Sequence, residues 1–248
     1  MMEDLKKQAE RFGTDTRWGI ATKVDFSKQP YQVTIDDKHI IEADTVIIAT
    51  GATAKYMGLE SEKKFMGYGV SACATCDGFF YKGKDVAVVG GGDSACEEAL
   101  YLSSLCKKVY MIVRRDVFRA SRIMAERVEK TENIEILFEH LPKEVVGEDS
   151  VNGVIVHNKK TGEDYKVDID GFFLAIGHTP NSEVFKEYLE TDDVGYIQTI
   201  QGTAKTSLEG VFACGDVQDS HYRQAITAAG SGCMAAMDAE RYLSEKGL

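Results

Sequence analysis

The chain has 248 residues, of which 29 are basic and 40 acidic, giving a formal net charge of −11. That balance argues against nucleic acid or an anionic membrane as the main partner, because both select basic surfaces. No apolar stretch approaches the ~18 residues of a membrane span, and Met1-Met2-Glu3-Asp4-Leu5-Lys6 forms no signal-peptide core, so the protein is read as cytoplasmic.

Residues 1–13 read as a helix, followed by strands around residues 18–26 and 31–35. Short apolar runs bounded by glycine then recur: Val46-Ile47-Ile48-Ala49, Val86-Ala87-Val88-Val89, Val109-Tyr110-Met111-Ile112-Val113, Phe172-Phe173-Leu174-Ala175-Ile176 and Val211-Phe212-Ala213. Such runs are the pattern of strands buried on both faces. Between the second and third, Ala95, Ala99, Leu102 and Leu105 fall at helical spacing within residues 93–106, so the region predicts a βαβ unit. Residues 151–156 and 165–169 flank Asn158-Lys159-Lys160-Thr161-Gly162, a hairpin with turn chemistry at its tip. A last helix is expected from about His221 to Leu243. The fold class is therefore α/β, and with 44% hydrophobic residues the chain is long enough for two domains. The expected hinges are two glycine-marked stretches, Ala49-Thr50-Gly51-Ala52 and Ala175-Ile176-Gly177-His178-Thr179-Pro180-Asn181.

Six cysteines are too few for a disulfide scaffold in a chain of this length, so a close pair points to catalysis or metal binding. Cys73-Ala74-Thr75-Cys76 holds two thiols at the spacing that closes a small, reducible disulfide. Zinc is the competing reading, but zinc usually needs four ligands, and Cys96, Cys106, Cys214 and Cys233 are scattered singly. An inert buried pair is the other alternative. No metal site is expected, and the four remaining cysteines read as small buried hydrophobes.

Gly90-Gly91-Gly92-Asp93-Ser94-Ala95 fits Gly-x-Gly-x-x-Ala directly after a strand and at the start of a helix. There Gly90 allows a tight turn, Gly92 lets the backbone approach a pyrophosphate, and Ala95 permits close helix packing, while the helix start offers free N–H groups. A glycine turn without a ligand is the bland alternative. About 20 residues on, an NAD site places an acidic residue to bind the ribose 2′-hydroxyl. Here the region reads Val113-Arg114-Arg115-Asp116, and two guanidinium groups suit a 2′-phosphate, with Arg119 able to join them. The expected nucleotide is thus NADPH. A solvated basic patch in which Asp116 pairs with a neighbour is the alternative.

Four motifs in order resemble the low-molecular-weight bacterial thioredoxin reductases. They are residues 69–80 around the cysteine pair, the loop from Gly90 to Ala95 with Glu97-Glu98-Ala99 after it, the run from Arg114 to Ala120, and residues 210–225. The resemblance implies a two-domain FAD/NAD(P)-binding, Rossmann-like pyridine nucleotide-disulfide oxidoreductase fold. It implies a thioredoxin-disulfide reductase that carries electrons from NADPH through FAD to Cys73 and Cys76 and on to thioredoxin, typically as a homodimer. In that family the thiol matching Cys76 lies against the flavin, the one matching Cys73 attacks thioredoxin, and the carboxyl matching Asp77 is the proposed general acid. Gly90, Gly91, Gly92, Asp93, Ser94 and Ala95 with Arg114, Arg115 and Arg119 would hold NADPH. Gly215, Asp216 and Val217 match the second FAD motif, with the Asp bonded to the ribityl chain; Arg223, Gln224 and Ala225 match the segment beside the isoalloxazine. Thr50 and Gly51 are placed on a cofactor as well. One departure is Val113, where the family commonly has His.

The family also opens with a strand carrying Gly-x-Gly-x-x-Gly that cradles the FAD pyrophosphate. No such motif stands in this sequence, so the first FAD-binding βαβ segment is read as missing. The expected domains are an incomplete flavin domain over residues 1–52 and 181–248, with an NADPH domain carrying the cysteine pair over residues 53–180. Two other readings stay open: a related flavoprotein reductase of a peroxiredoxin, and a truncated NADPH-binding fragment without FAD and without activity.

Overall fold

The computed structural model describes residues 2–248. The chain divides into two compact units, one from Met1–Thr53 together with Thr179–Leu248 and the other from Ala54–His178.

The first unit begins with helix α1 (Met2–Arg11), which buries none of its side chains. Strands β1 (Ala21–Asp25), β2 (Tyr31–Ile35) and β3 (His39–Ala43) follow as an antiparallel meander. β3 is absent from the sequence reading because His39-Ile40-Ile41-Glu42-Ala43 neither alternates nor runs apolar, and four of its five side chains face solvent. Next come β4 (Val46–Ile48) and the short β5 (Ala52–Ala54).

The second unit contains α2 (Glu60–Lys64), β6 (Val70–Ser71), α3 (Ala74–Asp77), β7 (Asp85–Val89), α4 (Asp93–Ser103), β8 (Lys108–Val113), α5 (Arg122–Glu129), β9 (Ile134–Phe138), β10 (His140–Gly147), β11 (Val151–Asn158), β12 (Asp164–Val167) and β13 (Gly171–Leu174). Its centre is a five-stranded sheet in the order β6-β13-β7-β8-β9. The pairings of β6, β7, β8 and β9 within it are parallel. A second, antiparallel sheet has the order β10-β11-β12. The apolar runs explain the layering, because alternate residues serve opposite faces. Val86, Val88, Met111 and Phe173 pack with Ala95, Ala99 and Leu102 of α4. Their neighbours Ala87, Val89, Ile112, Phe172 and Leu174 pack on the other side with Val145, Val154 and Val156 of the antiparallel sheet. The βαβ unit and the hairpin are as expected, although β13 stops at Leu174, two residues short of the apolar run, where the backbone turns toward Gly177 at φ 101°. Glu62 is 1% exposed and accepts the backbone N–H groups of Met57, Gly58 and Leu59, which fixes the loop that enters α2.

The chain returns to the first unit through β14 (His178–Pro180), which pairs with β5, and β15 (Val211–Ala213), which pairs in parallel with β4. It ends in α6 (Ala225–Lys246), closed by Gly247 in the left-handed conformation. The last helix therefore starts four residues later than expected. The Asp219 carboxylate accepts the N–H groups of His221 and Tyr222, and Arg223 sits at φ 47°, so residues 221–224 form a turn that a helix cannot include.

Candidate functional site

Cys73 and Cys76 are joined by a disulfide with a Cα–Cα distance of 5.3 Å. Among the described residues no group of three or more His, Cys, Asp or Glu side chains is gathered as a metal site would be. The pair sits where β6 leaves the parallel sheet. Cys73 caps the single turn of α3, and its Sγ accepts the Cys76 N–H at 3.2 Å. Cys73 is half-buried and Cys76 exposed. Asp77 lies one turn after Cys73, its N–H donating to the Cys73 carbonyl at 3.1 Å, so its side chain shares a face with that sulfur. One carboxylate oxygen, Oδ2, accepts the Ser71 hydroxyl at 2.7 Å. Burial, followed by the charges of Asp77 and Asp170, raises the Tyr81 phenol above its usual range. Phe79 and Phe80, immediately after α3, are 67% and 73% exposed.

In the same unit, β7 ends on the glycine loop, and the three glycines do different jobs. Gly90 has φ 146°, and a Cβ there would lie 2.5 Å from the Ala175 carbonyl oxygen and 2.7 Å from the Ala95 Cβ. A Cβ on Gly91 would lie 2.9 Å from Val113 Cγ1. Gly92, the cap of α4, has an ordinary φ of −96°, and a Cβ there would meet nothing nearer than Arg119 Nη2 at 3.8 Å. Gly90 and Gly91 are therefore required by packing, whereas Gly92 leaves open space in front of a helix start and beside a guanidinium. The loop carrying Arg119 is tied to it: the N–H groups of Arg119 and Ala120 donate to the Gly91 carbonyl at 2.7 and 3.1 Å. The Asp93 carboxylate accepts both the N–H and the hydroxyl of Ser121, which holds its pKa below the usual carboxylate range. Asp93 thus fixes the arginine loop, while Ser94 beside it is exposed and Ala95 fully buried.

Arg114 and Arg115 follow the end of β8, and both are exposed. Their carbonyls are held by Lys159 Nζ at 3.3 Å and by the Glu139 N–H at 3.0 Å. Among the described residues no carboxylate pairs with Arg114, Arg115 or Arg119, and Asp116 pairs with none of them. Three unneutralised guanidiniums and the open space at Gly92 fit the phosphates of a dinucleotide.

In the first unit, β15 leads into a turn of 3-10 helix over Gly215–Val217. Gly215 has φ 69° and donates its N–H to Ser231 of α6. The Val217 side chain is fully buried and belongs to the core. Asp216 is half-buried, and its carboxylate accepts no hydrogen bond from the described residues. Burial and the neighbouring Asp219 raise its pKa, against an opposing pull from Arg223. A carboxylate in that state fits the hydroxyls of a ribityl chain. Gln224 caps α6 and Ala225 is its first residue, so this segment sits at a helix start as expected. Thr50 donates its hydroxyl to the Asn181 carbonyl at 2.7 Å. Gly51, with φ 69° and open space around its Cα, also accepts the Asn181 N–H at 2.9 Å. A cleft of about 530 Å³ borders Thr50, Asn181, Phe185 and Gly195 but includes neither Asp216 nor Arg223.

Ser71 and Ser121 are the positioning residues absent from the sequence reading. Ser71 donates its hydroxyl to Asp77, and Ser121 donates both its N–H and its hydroxyl to Asp93; neither contact leaves a periodic trace in the sequence.

The pyridine nucleotide-disulphide oxidoreductase family matches residues 2–232. A thioredoxin reductase from Rickettsia felis is 49% identical over 248 residues, covering 99% of this chain and 80% of its relative. One from Coxiella burnetii is 50% identical over 251 residues, covering 98% of this chain and 78% of its relative. Among solved structures, thioredoxin reductase from Giardia duodenalis superposes with a TM-score of 0.92 at 42% identity, over 98% of this chain and 80% of that one. With the disulfide and the glycine loop placed together in one parallel-sheet unit, these similarities establish that the chain belongs to the pyridine nucleotide-disulphide oxidoreductases, in their thioredoxin reductase family.

Proposed function

We propose that this protein reduces the disulfide of thioredoxin at the expense of NADPH, with Cys73 and Cys76 as the redox pair. The observation that carries the proposal is their closed disulfide, held at the end of a rigid parallel sheet and flanked by the exposed rings of Phe79 and Phe80. A small-molecule disulfide needs no such apolar border, whereas a protein partner buries one.

In this family bound FAD and NADPH together supply the hydride and electron-pair chemistry that converts the disulfide to a dithiol. On the nucleotide side, Arg114, Arg115 and Arg119 bind phosphate by charge-assisted hydrogen bonds, and Gly92 leaves room for the pyrophosphate. On the flavin side, Asp216 would accept from ribityl hydroxyls, and the segment from Arg223 to Ala225 would present a helix start.

Once the pair is reduced, the Cys76 N–H stabilises a thiolate on Cys73, which makes Cys73 the attacking sulfur. Cys73 attacks one sulfur of the partner disulfide and displaces the other as a thiolate, forming a mixed disulfide. Cys76 then attacks Cys73 Sγ, releases the partner's second sulfur and restores the Cys73–Cys76 bond. Two electrons pass from this protein to the partner, and the two thiol protons of the pair end on the partner's two sulfurs. Asp77 takes the proton that Cys73 gives up and delivers it to the first leaving thiolate, then relays the Cys76 proton to the second. The reading extends to a homodimer working in the cytoplasm. No helix among the described residues is long and apolar enough to cross a membrane.

The test supplies the purified chain with NADPH, FAD and either oxidised thioredoxin or an oxidised peroxiredoxin, and follows NADPH absorbance. Oxidation that depends on thioredoxin and disappears in Cys73→Ser supports the proposal. Turnover with the peroxiredoxin alone, or turnover that survives Cys73→Ser, would overturn it.

A further inference from the structure

Ser71 sits between the two groups that the exchange reaction uses. It is the last residue of β6, and pairing with Phe173 of the adjacent strand fixes its backbone. Its Oγ accepts the Cys73 N–H at 3.1 Å, donates to Asp77 Oδ2 at 2.7 Å, and stands 3.4 Å from the Cys73 carbonyl. A hydroxyl has one proton to donate. The shorter contact to a charged acceptor takes it, and the carbonyl at 3.4 Å is left as a second, weaker acceptor.

This arrangement has a chemical consequence. Asp77 is anchored through Oδ2 alone, and Oδ1 accepts no hydrogen bond among the described residues. Oδ1 is therefore the oxygen left to carry a proton toward sulfur. If a proton arrives on Oδ2 instead, the Ser71 hydroxyl can turn to the Cys73 carbonyl and accept from the carboxyl group without moving its own backbone. The groups that bear on this carboxylate from neighbouring elements are the Tyr81 phenol, which feels its charge, and Asp170, which also faces Tyr81. Neither donates a hydrogen bond to it, so within the described residues Ser71 is its one side-chain anchor.

We propose that Ser71 is the positioning residue of the redox site, holding Asp77 in the orientation that hands its proton to the leaving thiolate of the partner disulfide. The inference rests on the reading of Cys73 as attacking sulfur and Asp77 as acid. The step is the first half of the exchange: the Cys73–sulfur bond forms, the partner's S–S bond breaks, and the displaced thiolate takes the proton from Asp77, which is recharged when Cys76 gives up its own.

The test uses a parent chain in which the exposed Cys233 is replaced by Ser, reduced with dithiothreitol, freed of excess reductant and mixed rapidly with either of two small disulfides. An alkyl disulfide such as hydroxyethyl disulfide expels a basic thiolate that needs a proton. An aryl disulfide such as dithionitrobenzoate expels a thiolate that leaves without one. Ser71→Ala should slow the alkyl reaction by about tenfold and leave the aryl reaction unchanged, the loss expected when a charged group loses one anchoring hydrogen bond. Ser71→Thr, which keeps the hydroxyl, should restore most of the alkyl rate. Equal slowing on both disulfides, including that caused by a local loss of structure, would overturn the inference, as would an unchanged alkyl rate. Failure of the underlying reading looks different: the reduced parent chain lacking Cys233 would then exchange with neither disulfide, or adding Cys73→Ser would leave exchange as fast as in that parent.

Discussion

Replacing Gly92 with Ala distinguishes a glycine kept for a ligand from one kept for the fold. The Gly92 backbone has φ −96°, which any residue adopts, and the new methyl group would meet only Arg119 Nη2, at 3.8 Å. Two small terms oppose each other: Ala is a poorer helix cap than Gly, and it lowers the entropy of the unfolded chain. The net change in stability should be about 1 kcal/mol or less. NADPH affinity should nonetheless fall by about tenfold or more, since the methyl group occupies the space through which the backbone meets the pyrophosphate. Gly90→Ala should behave in the opposite sense. Its φ of 146° and the Ala175 oxygen 2.5 Å from the new Cβ combine backbone strain with an overlap against main chain that cannot move aside. That should cost about 2 to 5 kcal/mol and lower the melting temperature by roughly 10 °C. The assays are thermal unfolding followed by circular dichroism, and NADPH titration followed by fluorescence, both on the chain without added flavin. Wild-type NADPH affinity in Gly92→Ala would refute the reasoning, because the open space at Gly92 would then have no ligand to serve.

Arg114→Ala and Arg115→Ala should each weaken NADPH binding by about 1.5 to 3 kcal/mol while leaving NADH binding nearly unchanged, since only NADPH presents the 2′-phosphate; equal losses in the two titrations would contradict the assignment. Thiol titration of the folded chain should find one reactive cysteine, the exposed Cys233, and two more after mild reduction opens Cys73–Cys76. Burial pushes the Cys96 and Cys106 thiols up to about 11 and raises that of Cys214, so all three should stay inert near neutral pH. Because these raised values favour the neutral thiol in the folded state, their stabilising effect is complete below the ordinary thiol pKa and is lost as pH rises toward 11. An alkaline melting series should show the decline, and substituting Cys96 and Cys106 with Ala should flatten it.

Much of the site was legible because its chemistry rests on residues adjacent in sequence. A disulfide across two intervening residues closes within one helical turn, and a phosphate loop is one strand end joined to one helix start, so Cys73, Cys76 and the run from Gly90 to Ala95 stand out as candidates from spacing and from their place in the strand–helix pattern. The five apolar runs likewise declare strands, since a strand buried on both faces has no polar side to hide. Tertiary structure decided what depends on partners far along the chain. Which glycines are required by packing follows from Ala175, Val113 and Ala95, brought against the loop by β13, β8 and α4. That Asp93 clamps the Arg119 loop depends on Ser121, 28 residues away, and that Asp77 is anchored depends on the end of β6. The start of α6 lies later than the pattern predicts because nothing in His221-Tyr222-Arg223-Gln224 forbids a helix by itself, yet Asp219 captures the N–H groups of His221 and Tyr222 and Arg223 turns to φ 47°. Local pattern specifies which segments can bind phosphate or carry a disulfide, whereas the direction in which each side chain finally points is set by hydrogen bonds that exist only once the sheet has assembled.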